Sequence, residues 1–144
     1  MRTAPAKTEI IEHVNLNSSR SDKVTVHLAL GFDGATPAYE PGDALDLYVE
    51  NDPAYVDELL KLAGLSSDDR LRAEFTTSRD VSTLALKTLE TYAASTRHES
   101  VQSLIADGQA RDWIAGRQLI DLIATFPTAL TAEQLRQLTR PLVF

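Results

Sequence analysis

Apolar residues alternate with polar ones early in the chain, then recur every three or four residues further on. Thr8–Leu16 sets Ile10, Val14 and Leu16 on one side of a predicted strand. Lys23–Leu30 is the clearest strand: Val24, Val26, Leu28 and Leu30 alternate with Thr25, His27 and Ala29. That is the period of two expected of a half-buried strand. A polar turn, Asn17–Asp22, separates these two, and a Gly/Asp loop follows over Gly31–Thr36. Pro41-Gly42 suits the centre of a type II turn, since proline fixes the first φ and glycine accepts the positive second one. In the third predicted strand, Ala44–Glu50, Leu45, Leu47 and Val49 alternate with Asp46, Tyr48 and Glu50. Three strands so close together suggest part of an antiparallel sheet or barrel.

Beyond Asn51 the period changes. Asp52 is a good N-cap and Pro53 fits the first helical position, so a helix is predicted over Pro53–Ala63. Val56, Leu59, Leu60 and Ala63 share its inner face, and Gly64 ends it. Arg70–Phe75 is read as a short strand. From Asp80 onward the pattern is helical, with stripes at Leu86, Leu89 and Ala93 and at Val101, Leu104 and Ile105. The densest apolar cluster holds Trp113, Leu119, Ile120, Leu122 and Ile123, which predicts Trp113 as a buried anchor between helices. Thr131-Ala132-Glu133-Gln134 has the form of a capping box, with Leu135 and Leu138 facing inward and Pro141 closing the helix. Strands followed by a run of helices indicate an α+β fold. Residues 1–7 read as a linker, 8–50 as the strand-rich part and 51–144 as a mainly helical subdomain.

Composition narrows the function classes. With 144 residues the chain is long enough for a real core, and its formal net charge of −7 makes nucleic acid an unexpected partner. It has no cysteine, which excludes disulfides, thiolate metal sites and cysteine nucleophiles and is compatible with the cytoplasm. No apolar run approaches the roughly 20 residues of a membrane span, and Met1–Lys7 is not followed by an apolar signal segment.

Candidate chemistry is sparse. His13, His27 and His98 form no metal-binding spacing and are read as solvent-facing. The carboxylate pairs Asp68-Asp69 and Asp43/Asp46 suit turns better than acid–base catalysis. Neither a G-x-S-x-G elbow nor a glycine-rich phosphate loop occurs. The residues alone indicate neither catalytic residues nor a metal site.

The wording of several segments adds more. Tyr39-Glu40-Pro41-Gly42-Asp43-Ala44-Leu45 and Asn51-Asp52-Pro53 match a "Y-x-P-G-D-x-L" strand and an "N-D-P" helix. Lys23 and His27 match "K-x-x-x-H". Glu90-Thr91-Tyr92-Ala93 with Thr96-Arg97 matches "E-x-Y-A-x-x-T-R". Trp113–Phe126 matches "W-I-x-G-R-x-x-x-D-L-x-x-x-F", and Leu138–Leu142 matches "L-x-R-P-L". Together they make the chain, from Lys7 to Leu142, resemble the NADPH-dependent diflavin reductases, most closely the flavoprotein of sulfite reductase.

This resemblance implies an FAD-binding barrel of the ferredoxin-reductase type, with residues 8–50 as its opening strands and 51–144 as an inserted helical connecting subdomain. Electrons in such proteins pass from NADPH to FAD to FMN and on to an acceptor. The implied partners are a flavodoxin-like FMN domain, an NADPH domain and a haemoprotein acceptor subunit. By the same resemblance Ser82, in Asp80-Val81-Ser82, and the small pair Ala115-Gly116 are cofactor-binding candidates. The residues themselves favour Ser82 as an N-cap of a helix over Thr83–Ala93, and Gly116 as a turn between helices. Departures are also plain: the chain ends at Val143-Phe144, before the family's "R-x-Y-S" flavin motif, and Asp46 replaces a usual glycine. The expectation is a truncated chain that binds FAD weakly or not at all. The competing expectation is a helical interaction module that keeps the fold without flavin.

Overall fold

An antiparallel hairpin opens the chain, formed by β1 (Thr8–Asn15) and β2 (Val26–Phe32) in the computed structural model. The structure describes residues 6–34, 36–44 and 49–142. Two units divide the chain, Met1–Asp46 and Leu47–Phe144.

In the first unit, Ile10 pairs with Leu30 and Val14 with His27, and the register shifts between Ile10 and Glu12. A bulge of this kind inserts one extra residue and reverses the alternation. Ile10 and Val14 therefore lie on opposite faces, not on the shared face that the spacing predicts. β2 starts at Val26 rather than Lys23 because the side chains of Asn17 and Ser21 hold the preceding turn. Asn17 Oδ1 accepts from Thr25 N–H, and Ser21 Oγ accepts from Lys23 N–H at 3.2 Å. The strand also runs through Gly31 and Phe32, which the sequence assigns to a loop. The Pro41-Gly42 turn forms as expected: Gly42 has φ 103°, and Asp43 N–H reaches the Glu40 carbonyl at 3.1 Å. Most of the third predicted strand, residues 45–48, lies outside the described residues, and Ala44, Val49 and Glu50 are not in a strand.

The second unit is helical: α1 (Pro53–Leu62), α2 (Asp69–Thr77), α3 (Leu86–Thr96), α4 (Glu99–Ala106), α5 (Ala110–Ile114), α6 (Leu119–Thr125) and α7 (Ala132–Leu138). Two short strands, β3 (Arg79–Asp80) and β4 (Arg140–Pro141), pair antiparallel. The fold is thus α+β with two small antiparallel ladders. Among the described residues these ladders do not close into a barrel.

The caps of α1 follow the sequence. Asp52 accepts from Ala54 N–H at 2.9 Å, and Gly64, at φ 77°, ends the helix. Arg70–Phe75, read as a strand, is helical. Asp68 caps α2 through Leu71 N–H, and Leu71 and Phe75, one turn apart, are both fully buried. Six residues cannot distinguish such a turn from a strand by apolar period alone. The helix expected from Asp80 onward starts only at Leu86, because the Asp80 carboxylate takes the N–H groups of Ser82 and Thr83 into a turn. Gly116, read as a turn between helices, adopts φ 72° between α5 and α6.

Leu59, Leu60, Phe75, Leu89, Leu122 and Leu135 lie in one fully buried cluster. Each such side chain contributes roughly 1.5–3 kcal/mol by leaving water. Trp113 departs from expectation, being only half-buried at the edge of this core. Its truncation to alanine is expected to cost about 1–2 kcal/mol in urea unfolding, below the roughly 3–5 kcal/mol of a fully buried aromatic. Asn51 matters more than its position suggests. Its side-chain amide donates to the Phe75 carbonyl at 2.7 Å and the Arg79 carbonyl at 2.6 Å, while its own N–H reaches Thr76. Asn51→Ala strands two carbonyls and is expected to lower stability by about 2 kcal/mol. Asn51→Asp, which sets a carboxylate against them, should cost at least as much.

Candidate functional site

Chemistry-bearing side chains gather around β3. Arg79, at the start of this strand, has a side chain only 14% exposed. Its Nε donates to Thr139 Oγ1 at 2.6 Å, and Nη2 donates to the Arg136 carbonyl at 2.7 Å and the Thr139 carbonyl at 3.0 Å. Glu74 takes Arg79 Nη1 at 3.3 Å and Arg136 Nε at 2.9 Å, so its carboxylate bridges two guanidiniums. With all these donors placed, Arg79 fixes the end of α7 against β3 rather than offering itself to a ligand.

Asp80 is the hub of the neighbouring loop. Oδ1 accepts from Ser82 N–H at 3.2 Å, Ser82 Oγ–H at 3.3 Å and Thr83 N–H at 3.1 Å. Oδ2 accepts from Thr83 Oγ1–H at 2.7 Å and from Arg140 Nε and Nη2 at 3.0 and 2.9 Å. Partial burial works to raise the carboxyl pKa. The Thr83 hydroxyl and N–H, the Arg140 guanidinium and the Ser82 N–H outweigh it and bring the value from 3.8 down to about 2. Asp80 is therefore ionised at neutral pH. Arg140 stays 70% exposed and lines a cleft of about 290 Å³ with Asp80, Thr83, Lys87, Thr88 and Gln137.

Ser82 sits in this loop, half-buried, and is not the N-cap of α3; Ala85 holds that position. Its carbonyl accepts from Leu119 N–H at 3.1 Å, the first residue of α6. Ala115 and Gly116 occupy the exposed turn just before that helix. A Cβ added to Gly116 would meet nothing within 4 Å, so this turn presents open backbone. The structure thus brings the Ser82 loop to the start of α6, linked to the Ala115–Gly116 turn through Leu119, with no direct hydrogen bond between the candidates. The turn also carries Arg117, whose guanidinium lies 4.9 Å from the Trp113 ring centroid and whose Nη1 donates to the Trp113 carbonyl.

Asp80, Arg117 and Arg140 are the side chains that sequence reasoning passed over as site residues. Each stood inside a quoted motif, but only tertiary packing shows that Arg140 and Asp80 meet across 60 residues. The histidines divide. His13 and His27 are exposed on the hairpin, with His27 3.7 Å from Glu12. His98 is not solvent-facing as expected: it is half-buried with its ring edge-on to Phe126, centroids 5.4 Å apart. Among the described residues no group of three His, Asp or Glu side chains converges on a metal position. No helix there is long and apolar enough to cross a membrane.

Comparison with known proteins gives a consistent picture. The chain is similar to the sulfite reductase (NADPH) flavoprotein alpha-component of Bacillus subtilis strain 168, with 30% identity over 96% of this chain and 26% of the relative. The protein of the same description from Neisseria meningitidis serogroup B is 31% identical over 98% of this chain and 25% of the relative. That from Pectobacterium atrosepticum is 32% identical over the same shares. The chain spans about a quarter of the length of these relatives. No protein-family model matches it.

The depressed Asp80 pKa fixes the sign of a pH effect. The ionised carboxylate stabilises the fold fully above pH 4 and loses that contribution as pH falls through about 2. The shift corresponds to about 2 kcal/mol. Wild type is expected to exceed Asp80→Asn by up to that amount in urea unfolding at pH 6, and the gap should close as pH approaches 2. A gap unchanged by pH would mean that the carboxylate charge is immaterial.

Proposed function

The chain belongs to the sulfite reductase (NADPH) flavoprotein alpha-component family, and from that premise we propose that it forms part of the region holding FAD and connecting it to the FMN domain. In this reading electrons pass from NADPH to FAD to FMN and then to a haemoprotein subunit, in the cytoplasm. Residues 8–50 contribute opening strands of the flavin barrel and 51–144 the connecting helices.

The observation that carries the reading is the hydrogen bond from Leu119 N–H to the Ser82 carbonyl. It holds the hydroxyl loop beside the turn where Ala115 and Gly116 leave room for a ligand. The side chains suit the edge of a dinucleotide: the Ser82 and Thr83 hydroxyl oxygens can meet sugar hydroxyls, and Arg117 supplies a positive charge near open backbone. FAD, when bound, supplies the step between two-electron hydride acceptance and one-electron release. The chain's own residues orient the nucleotide and set the α5–α6 turn against it.

Tight binding of so large and anionic a cofactor needs many placed donors and aromatic cover. Here Asp80 takes the nearby N–H groups, and the nearby guanidiniums of Arg117 and Arg140 are exposed to solvent. The 144 residues by themselves are therefore expected to bind FAD more weakly than about 1 µM, a free energy of roughly −8 kcal/mol. They are expected to show no NADPH-dependent reduction of a dye acceptor. Flavin fluorescence titration checks the first and a dye-reduction assay the second. Complete absence of FAD binding at millimolar concentration would favour a helical interaction module without flavin.

A further inference from the structure

Among the described strands, β2 alone has no charged residue. Val26–Phe32 contains no Asp, Glu, Lys or Arg, and no proline. Strand edges are usually guarded by such residues or by a bulge, because an open row of N–H and C=O groups invites another strand. β1 is guarded in this way by Glu9, Glu12 and the register shift between Ile10 and Glu12. It covers one edge of β2, and no strand lies along the other among the described residues. Val26 and Leu28 stay 38% and 41% exposed, and no described residue of the first unit is buried. A two-stranded hairpin is marginal on its own, so a further strand at the open edge stabilises it.

Charge selects the occupant of that edge. With a formal net charge of −7, two copies of the chain repel wherever their carboxylates meet. Pairing through β1 would bring Glu9 and Glu12 of one copy among those of the other. Pairing through β2 sets no charge opposite another. Antiparallel alignment about Ala29 places Ala29 opposite itself, Leu28 opposite Leu30 and Val26 opposite Phe32, while His27 meets Gly31, which has no side chain to crowd it. Val26, Leu28, Leu30 and Phe32 share one face by the period of two, so this alignment continues a single apolar stripe across both copies. A two-fold pair of this kind uses the same edge twice and closes on itself.

We propose that β2 is a self-association edge, along which two copies of this chain pair antiparallel over Val26–Phe32 into a four-stranded sheet with β1 outermost on each side. The proposal is independent of the flavin reading.

Sedimentation velocity of the 144-residue chain tests it. A seven-residue edge buries less than a standard interface, so a reversible dimer with a dissociation constant of roughly 10–100 µM is expected. Ala29→Lys and Ala29→Glu should each weaken it about tenfold or more, because like charges then face each other across the two-fold axis. An equimolar mixture of the two variants should associate at least as well as wild type, a recovery that a hairpin spoiled by the substitutions would not show. A monomer at every concentration up to about 500 µM, well above the expected constant, would overturn the proposal. So would oligomers that grow past the dimer, single variants that associate like wild type, or a mixture that associates no better than its parts.

Discussion

One asparagine side chain underlies the helical unit. Asn51 spends both N–H bonds of its amide on the carbonyls of Phe75 and Arg79, where α2 gives way to β3. A half-buried carbonyl without a partner is costly, and no other residue type at this position offers two donors of that reach without a charge. The clamp fixes the direction of β3. Arg79 follows with bonds to Arg136 and Thr139 that hold the end of α7, and β4 then pairs alongside. A two-residue ladder has little stability of its own. It persists here because polar bonds from Asn51 ahead of α1, from α2 and from α7 converge on it.

The candidate site inherits its order from that ladder. Asp80 directly follows Arg79, so its carboxylate is placed by the same backbone, between the Arg140 guanidinium and the Ser82–Thr83 loop. Ser82 is then pinned from both sides, by Asp80 through its hydroxyl and by Leu119 through its carbonyl. The polar groups of this loop are bonded chiefly to one another. Nothing in it resembles an activated nucleophile or a general base, which suits a protein region whose relatives are flavoproteins.

Much of this was legible in the residues, and the failures have physical causes. Asp52-Pro53, Gly64, the Pro41-Gly42 turn and the Thr131–Gln134 capping box were readable because each depends on neighbours within five positions. The helix over Asp69–Thr77 was misread because Leu71, Ala73 and Phe75 alternate as in a strand, while Leu71 and Phe75 also stand one helical turn apart. The late start of α3 was missed because a carboxylate can capture N–H groups in a turn as readily as a helix can extend. The bulge at Ile11 left no mark in the alternation, so the two faces of β1 were merged. Trp113 was taken as an anchor from its apolar neighbours, yet Gly116 breaks the helix behind it and leaves the ring at the edge of the core, under Arg117. The meeting of Asp80 with Arg140 depends on the folded path of 60 residues, which local pattern does not encode.

The central claim is that the loop after β3 and the turn before α6 form one ligand-facing surface for a flavin nucleotide. Hydrogen–deuterium exchange of the 144-residue chain, with and without millimolar FAD, tests it most directly. The account predicts slowed exchange in residues 80–84 and 113–119 together, with little change in the hairpin of β1 and β2. Slowed exchange confined to the hairpin, or to α3 and α7, would contradict it.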